Sequence, residues 1–225
     1  MELGQDIWLF DGTTLDLAGF KYPTRMAVIR LENGELVVWS PIEASDALLE
    51  TVGSLGKVAH FIAPNAYHHL FLREWIRAFP AAKLYAPASF SKRHLNVYVD
   101  EVLENFDFNG EILMFCYPTV HWDEAVIYHA KSRTMIFADV LQCLPRSNFD
   151  GWRRWVAILN LITGELPAVP RKTRFFTERK KARKTVKAML ALPTENVVIA
   201  HGSCVFGQGK DVLVKAFEWL SPSAG

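Results

Sequence analysis

The stretch "PTVHWDEAVIYHAKSRTMIFADVL", residues 118–141, holds two apolar, β-rich runs, Ala125–Ala130 and Thr134–Leu141, joined by the short Lys131-Ser132-Arg133 connection. That spacing predicts a hairpin. A histidine, His121, stands in the loop before the first run, and a carboxylate, Asp139, near the end of the second. Strand-to-loop transitions can present side chains to a shared cleft, and loops are where binding and catalytic groups concentrate.

Outward from the hairpin, the N-terminal runs "IWLF" (7–10), "RMAVIRL" (25–31) and "ELVVWSPI" (35–42) are short and β-rich, and "ENGE" (32–35) reads as a hairpin turn. Leu48, Leu49 and Val52 predict a helix within 43–54, and "KVAHFIAPN" (57–65) reads as a buried strand ending in a turn pair. From Tyr67 the apolar positions Leu70, Phe71, Trp75, Ile76 and Phe79 recur at helical spacing. Further strands are expected at "KLYAP" (83–87), "EILMFCYP" (111–118) and "NVVIA" (196–200). Helices are expected around the Trp-rich "GWRRWVAILNLI" (151–162), the basic "TERKKARKTVKAMLAL" (177–192) and the closing "KDVLVKAFEWL" (210–220). This order predicts an α+β protein, one domain over residues 1–225, with two sheets face to face and helices on their outer sides.

The 225 residues are 50% hydrophobic, enough for a substantial core, and 25 Lys+Arg nearly balance 24 Asp+Glu. Overall charge therefore gives no argument for nucleic acid or an anionic membrane, and neither is expected as a partner. No apolar stretch approaches the roughly 20 residues of a spanning helix. The acid-bearing start does not read as a signal peptide, so a cytoplasmic location is expected. Cys116, Cys143 and Cys204 are odd in number and far apart, which argues against a disulfide framework or a Cys-x-x-Cys metal knuckle. Core packing is the expected role of Cys204.

Four places set a candidate ligand after a β run: "PNAYHH" (64–69), "YPTVHWDE" (117–124), "ADVL" (138–141) and "AHGS" (200–203). His68, His69, His121, Asp139 and His201 thus form one constellation, and imidazole with carboxylate suits zinc, iron or manganese. Alone, the pair His68 and His69 reads as a helix N-terminus with one ring solvated and one packed; with the other three it reads as a metal site. His60, His94 and His129 are expected to be structural. Asp123 and Glu124 are expected to be solvated loop acids. The run 171–187 holds nine Lys or Arg and one Glu, which reads first as a solvated helix face and secondly as a surface favouring anionic substrates.

On "PNAYHH", "PTVHWDEAVIYHAKSRTMIFADVL" and "IAHGS", the chain resembles the metallo-β-lactamase fold superfamily. Within it, the chain is similar to a divergent branch, of the kind termed domain of unknown function 4336, that bears Asn-x-x-His-His where the main family has His-x-His-x-Asp-His. The resemblance runs from about Ile7 to Leu220 and implies a four-layer αββα sandwich. It puts Pro64 and Ala66 at the first two histidines of the motif, His68 at its Asp and His69 at its last His. It puts His121 at the loop His, Asp139 at the bridging Asp and His201 at the last ligand.

It further implies one divalent metal, zinc first with iron or manganese as alternatives, held by His68, His69, Asp139 and His201. His121 would complete the shell or act beside Asp139 as a catalytic acid or base. Asn65 would bind through its carbonyl oxygen or cap the helix expected at Tyr67, and Trp152, with Trp155, would line the substrate entrance. The implied activity is metal-dependent hydrolysis; the resemblance names no substrate, and the basic run 171–187 is what points to a small, anionic one. Two alternatives stay open: a relative that has lost catalysis and binds a ligand or partner in the same cleft, and redox chemistry at iron fed by a separate electron-donor protein.

Overall fold

The computed structural model describes residues 1–94, 96–103 and 108–221. Strands β1 (Glu2–Gly4), β2 (Ile7–Leu17), β3 (Phe20–Arg30), β4 (Glu35–Trp39), β5 (Lys57–Ile62), β6 (Lys83–Ala86) and β7 (Glu101–Val102) pair in chain order as a seven-stranded sheet. Strands β8 (Ile112–Tyr117), β9 (Glu124–His129), β10 (Thr134–Phe137) and β11 (Asn196–Ile199) form a second sheet in the order β11-β10-β9-β8. The hairpin expected over 118–141 is the antiparallel β9–β10 pair, with Ile127 opposite Ile136.

Alternation along the strands builds the layers. On β3, Ala27 and Ile29 join Ile127, Ile136 and Val198 in the core between the sheets. Met26 and Val28, on its other face, pack with Val52 of α1 (Asp46–Leu55), Leu72 and Trp75 of α2 (Leu72–Ala78) and Phe90 of α3 (Ala88–Arg93). In the second sheet, Met135 and Phe137 face Val186 and Met189 of α6 (Arg179–Leu190) and Leu213 and Phe217 of α7 (Gly209–Phe217). Both faces of β9 and β10 are therefore covered, which is why they read as continuous apolar runs. The result is the expected αββα order. The basic run is the outer face of α6: Ala182, Val186 and Met189 are buried at i, i+4 and i+7, and Arg179, Lys180, Arg183, Lys184 and Lys187 are exposed.

The short elements β1, β7, α3 and α5 (Arg171–Phe176) were not expected, and α2 starts later than expected. Residues 66–71 form turns, and α2 starts at Leu72 instead of Tyr67. The cause is local: Asn65 Oδ1 accepts the Tyr67 N–H at 2.8 Å, an Asx turn that competes with helix start. The remaining helices, α4 (Trp152–Leu159) and α5 (Arg171–Phe176), lie between β10 and α6 in the chain.

Two parallel pairs position the site. β4 pairs with β5 and β10 with β11, each in parallel register. The chain leaves their carboxyl ends at Ser40, Asn65, Asp139 and His201, the side of parallel strands where ligands gather. Hydrogen bonds of Ser40 N to Ile62 O at 2.9 Å and Ala125 N to Pro64 O at 2.8 Å tie these exits together across both sheets.

Candidate metal centre

Among the described residues, His68, Asp139 and His201 form a group suited to a metal ion, their ligand atoms all within 4.8 Å of one another. His68 Nε2 lies 3.4 Å from Asp139 Oδ2, and His201 Nε2 lies 3.4 Å from Asp139 Oδ1. The other nitrogen of each ring is engaged from behind. His201 Nδ1 donates to the Pro23 carbonyl at 2.7 Å, which leaves Nε2, the atom facing Asp139, as the one that could ligate an ion. His68 Nδ1 meets the Ser40 hydroxyl at 2.7 Å. Such outer partners orient metal-ligating imidazoles, so the donor set and its support fit a metal ion. Ser40, directly after β4, holds φ at +52°, a strained value for a residue other than glycine.

Charge in the group is mutually dependent. Burial alone would raise the Asp139 carboxyl, but hydrogen bonds and charge from His201 and His68 hold it well below the ordinary aspartate value. Burial opposes a charge on His201, yet Asp139 and the Pro23 carbonyl raise its pKa above that of a free histidine.

A buried carboxylate braces Asp139 from the far side. Glu124 Oε1 accepts Ala138 N at 2.8 Å; Oε2 accepts Asp139 N at 2.7 Å, Val140 N at 3.1 Å and Asn65 Nδ2 at 3.2 Å. Burial and the nearby Asp139 charge raise the Glu124 carboxyl, while its backbone and amide donors pull the other way. A protonated oxygen there would set O–H against N–H, so the donors favour the ionised form. The expectation that Glu124 is solvated is thus corrected: it is the first residue of β9, fully buried, and points away from solvent.

The loop bearing His201 is fixed by backbone geometry and one guanidinium. Gly202 has φ +114°, and a Cβ there would overlap the Cys143 carbonyl. Arg25 Nη1 donates to the carbonyls of Ile199 and Gly202, both at 2.8 Å, and its Nε to Asp11 at 2.7 Å.

The three ligand side chains open into a cavity of about 470 Å³. Leu15, Phe20, Phe71 and Ile162 supply apolar wall, and Tyr22, Gln142 and Lys172 polar wall. The Tyr22 ring stands edge-on to His201, centroids 5.5 Å apart. Trp122 Nε1 and Gln142 Oε1 are buried without a hydrogen-bond partner in this wall.

The other expected site residues are placed elsewhere. His69 lines the cavity but lies outside the three-residue group: its Nδ1 donates to Ala66 O at 3.1 Å and its ring stacks on His94 with centroids 3.9 Å apart. His121 is exposed and packs on Phe176, centroids 4.8 Å apart, away from Asp139's ligand partners. Asn65 is completely buried and donates to Asp139 Oδ2 at 2.9 Å, so it positions Asp139 and has no surface for substrate. Trp152 is 62% exposed and packs on Phe20, with Phe20 forming the cavity wall in its place. Ser40, Pro23 and Tyr22 are supporting residues that the sequence pattern does not single out; of the three, only Ser40, at a strand end, carries a positional signal.

Residues 4–99 match the family described as Domain of unknown function (DUF4336). No curated protein sequence matches the chain. Among solved structures, a DIM-1 metallo-β-lactamase exposed to ceftazidime superposes with a TM-score of 0.65 at 12% identity, over 98% of this chain and 96% of that one. A metallo-β-lactamase from Pontibacter korlensis gives 0.64 at 11% identity, over 98% and 97%. A metal-soaked Flv1 flavodiiron core from Synechocystis sp. PCC6803 gives 0.63 at 13% identity, over 96% of this chain and 59% of that one. At such identities the likeness is one of fold, and with the layers and the metal-suited group it establishes that this chain has the metallo-β-lactamase fold.

Proposed function

We propose that the chain is a metal-dependent hydrolase of a small anionic substrate, with a single zinc ion held by His68, Asp139 and His201. The observation that supports it most is the convergence of two imidazole Nε2 atoms on one carboxylate, with both Nδ1 atoms anchored from behind. A zinc ion with three protein ligands and an open position lowers the pKa of a bound water and polarises a carbonyl or phosphoryl oxygen. The chain's own groups do the rest. Pro23 and Ser40 keep the ring nitrogens aimed, and Glu124 and Asn65 keep the Asp139 carboxylate in place. Lys172 brings positive charge to the cavity wall for an anionic group, and the apolar walls limit water.

Elemental analysis of protein purified without chelators tests this reading. About one equivalent of zinc is expected, lost in folded His68→Ala and His201→Ala variants and kept in His69→Ala. Hydrolysis of phosphate or carboxylate esters should vanish with chelation and return with zinc. Retention of metal by His201→Ala, or no uptake after zinc is added, would refute the assignment. A second reading, a binding module without catalysis, is favoured by Pro64 and Ala66 standing where the resembled motif has two histidines. It predicts a folded, metal-free protein that still takes up a ligand in the cavity. Iron in place of zinc would turn the reading toward redox chemistry with a separate electron donor.

A further inference from the structure

Helix α4 carries its apolar stripe on the outside. Trp152, Trp155, Val156 and Leu159 recur at i, i+3, i+4 and i+7 and are 62%, 67%, 41% and 60% exposed, whereas Ala157 is the buried position. Two neighbours extend the patch. The tip between β2 and β3 exposes Leu17 and is tied to α4 by Arg153 Nε donating to Ala18 O at 3.0 Å. On the other side α5, which exposes Phe175, is tied to the end of α4 by Arg171 N to Asn160 O and Lys172 N to Asn160 Oδ1, both 2.9 Å.

The surround is cationic. Arg146, Arg154, Arg171 and Lys172 are exposed and Arg153 half-buried, with Lys21 beside the β2–β3 tip, against the exposed acids Asp16, Asp150 and Glu165; Arg174 instead packs on Trp219. The near-neutral overall balance conceals this local excess.

We infer that this face docks on an anionic lipid surface, with α4 lying in the plane of the interface. Exposed Trp and Leu beside Arg is the composition of an interfacial helix: the rings enter the headgroup boundary while the guanidinium groups stay with the phosphates. A second copy of the chain is the poorer occupant. A two-fold contact through the same patch would bring the cationic groups of both copies into one interface without added acids to balance them. The contact is peripheral, since no helix among the described residues is long and apolar enough to cross a membrane. The expectation of no membrane partner rested on net charge and on the lack of a spanning run, and neither bears on a docking face. Leu17, Asn160 and Lys172 belong both to this neighbourhood and to the cavity wall, so docking turns the cavity toward the headgroups.

Sedimentation of the full chain with phosphatidylcholine vesicles, with and without phosphatidylglycerol, tests the inference. Binding is expected only with phosphatidylglycerol and should weaken as salt rises. Trp155→Ser/Leu159→Ser and Arg154→Glu/Arg171→Glu should each weaken it roughly tenfold or more. The serine pair spares Trp152, which packs on Phe20, and so leaves the local fold intact. Wild-type protein left in the supernatant, equal binding to both vesicles, or undiminished binding of the serine pair would overturn the proposal. So would a dimer in light scattering that the serine pair dissociates, which would assign the face to a second copy. Zinc content read on the same samples is independent of these outcomes.

Discussion

Replacing Glu124 with glutamine preserves shape and removes one acceptor, so its cost can be worked from the hydrogen bonds. Oε1 serves Ala138 N; Oε2 serves Asp139 N, Val140 N and Asn65 Nδ2. The cheaper glutamine orientation puts the new NH₂ at the Oε1 position, where it meets the Ala138 N–H head-on and leaves that donor unsatisfied. A buried unsatisfied donor costs about 1–3 kcal/mol. The other donors then bond to a neutral oxygen and lose roughly 1 kcal/mol each, the difference between charged and neutral acceptors. Removing a buried charge returns part of this loss. The net expectation is about 2–4 kcal/mol of destabilisation, read from urea unfolding of the metal-free protein. Glu165→Gln, at an exposed position, is the control and should stay within about 0.5 kcal/mol. A Glu124→Gln effect below about 1 kcal/mol would refute the account of an ionised carboxylate holding Asp139.

Ser40→Ala should fold and bind zinc about 10–100-fold more weakly in a competition titration, because His68 loses its outer partner; unchanged affinity would show the contact to be idle. Gly202→Ala should lower unfolding free energy by roughly 2–4 kcal/mol and weaken metal binding, since both φ and the Cys143 carbonyl oppose a Cβ; a wild-type melting curve would contradict this. His129 is buried, its Nδ1 bonded to Ser132 Oγ at 2.7 Å, and burial pushes its pKa down to about 4. The unfolded chain takes up that proton near pH 6.5, so the stability from neutral His129 is complete above about 6.5 and is lost as pH falls toward about 4. The full difference is roughly 3 kcal/mol. His129→Gln should flatten the fall in unfolding free energy between those pH values, and equal slopes in the two proteins would refute it.

The fold was legible where one period dominated. β9 and β10 read as continuous apolar runs because helices and the opposite sheet cover both their faces, and α6 because Ala182, Val186 and Met189 keep helical spacing under a charged outer face. Helices α3 and α5, each 6 residues, are too short for a period to show. At the candidate site, position in the chain was enough to expect Asp139 and His201 side by side, since they leave neighbouring parallel strands. It could not separate His68 from His69, because adjacent side chains in a turn diverge and only three-dimensional packing decides which meets Asp139. Glu124 was unreadable for a related reason. The acid stands one residue before the apolar run, and only its place in β9, facing the N–H groups of residues 138–140, makes it a structural anion.

The two positions at which the resembled motif has histidines show how a loop can lose ligand side chains and stay ordered. Pro64 and Ala66 contribute carbonyls. Pro64 O accepts Ala125 N at 2.8 Å, which ties the exit of β5 to the start of β9. Ala66 O accepts His94 Nε2 at 2.6 Å and His69 Nδ1 at 3.1 Å, so its lone pairs hold two imidazoles. Burial and the facing His94 lower the pKa of His69, which suits a neutral His69 ring against its neighbour. His69 is thereby committed to clamping the turn, and the same turn directs His68 to the opposite side, between Ser40 and Asp139. A loop held in this way offers one imidazole to the metal-suited group. His121, exposed and packed on Phe176, stands outside that group, so the described residues bring three donors together and no more.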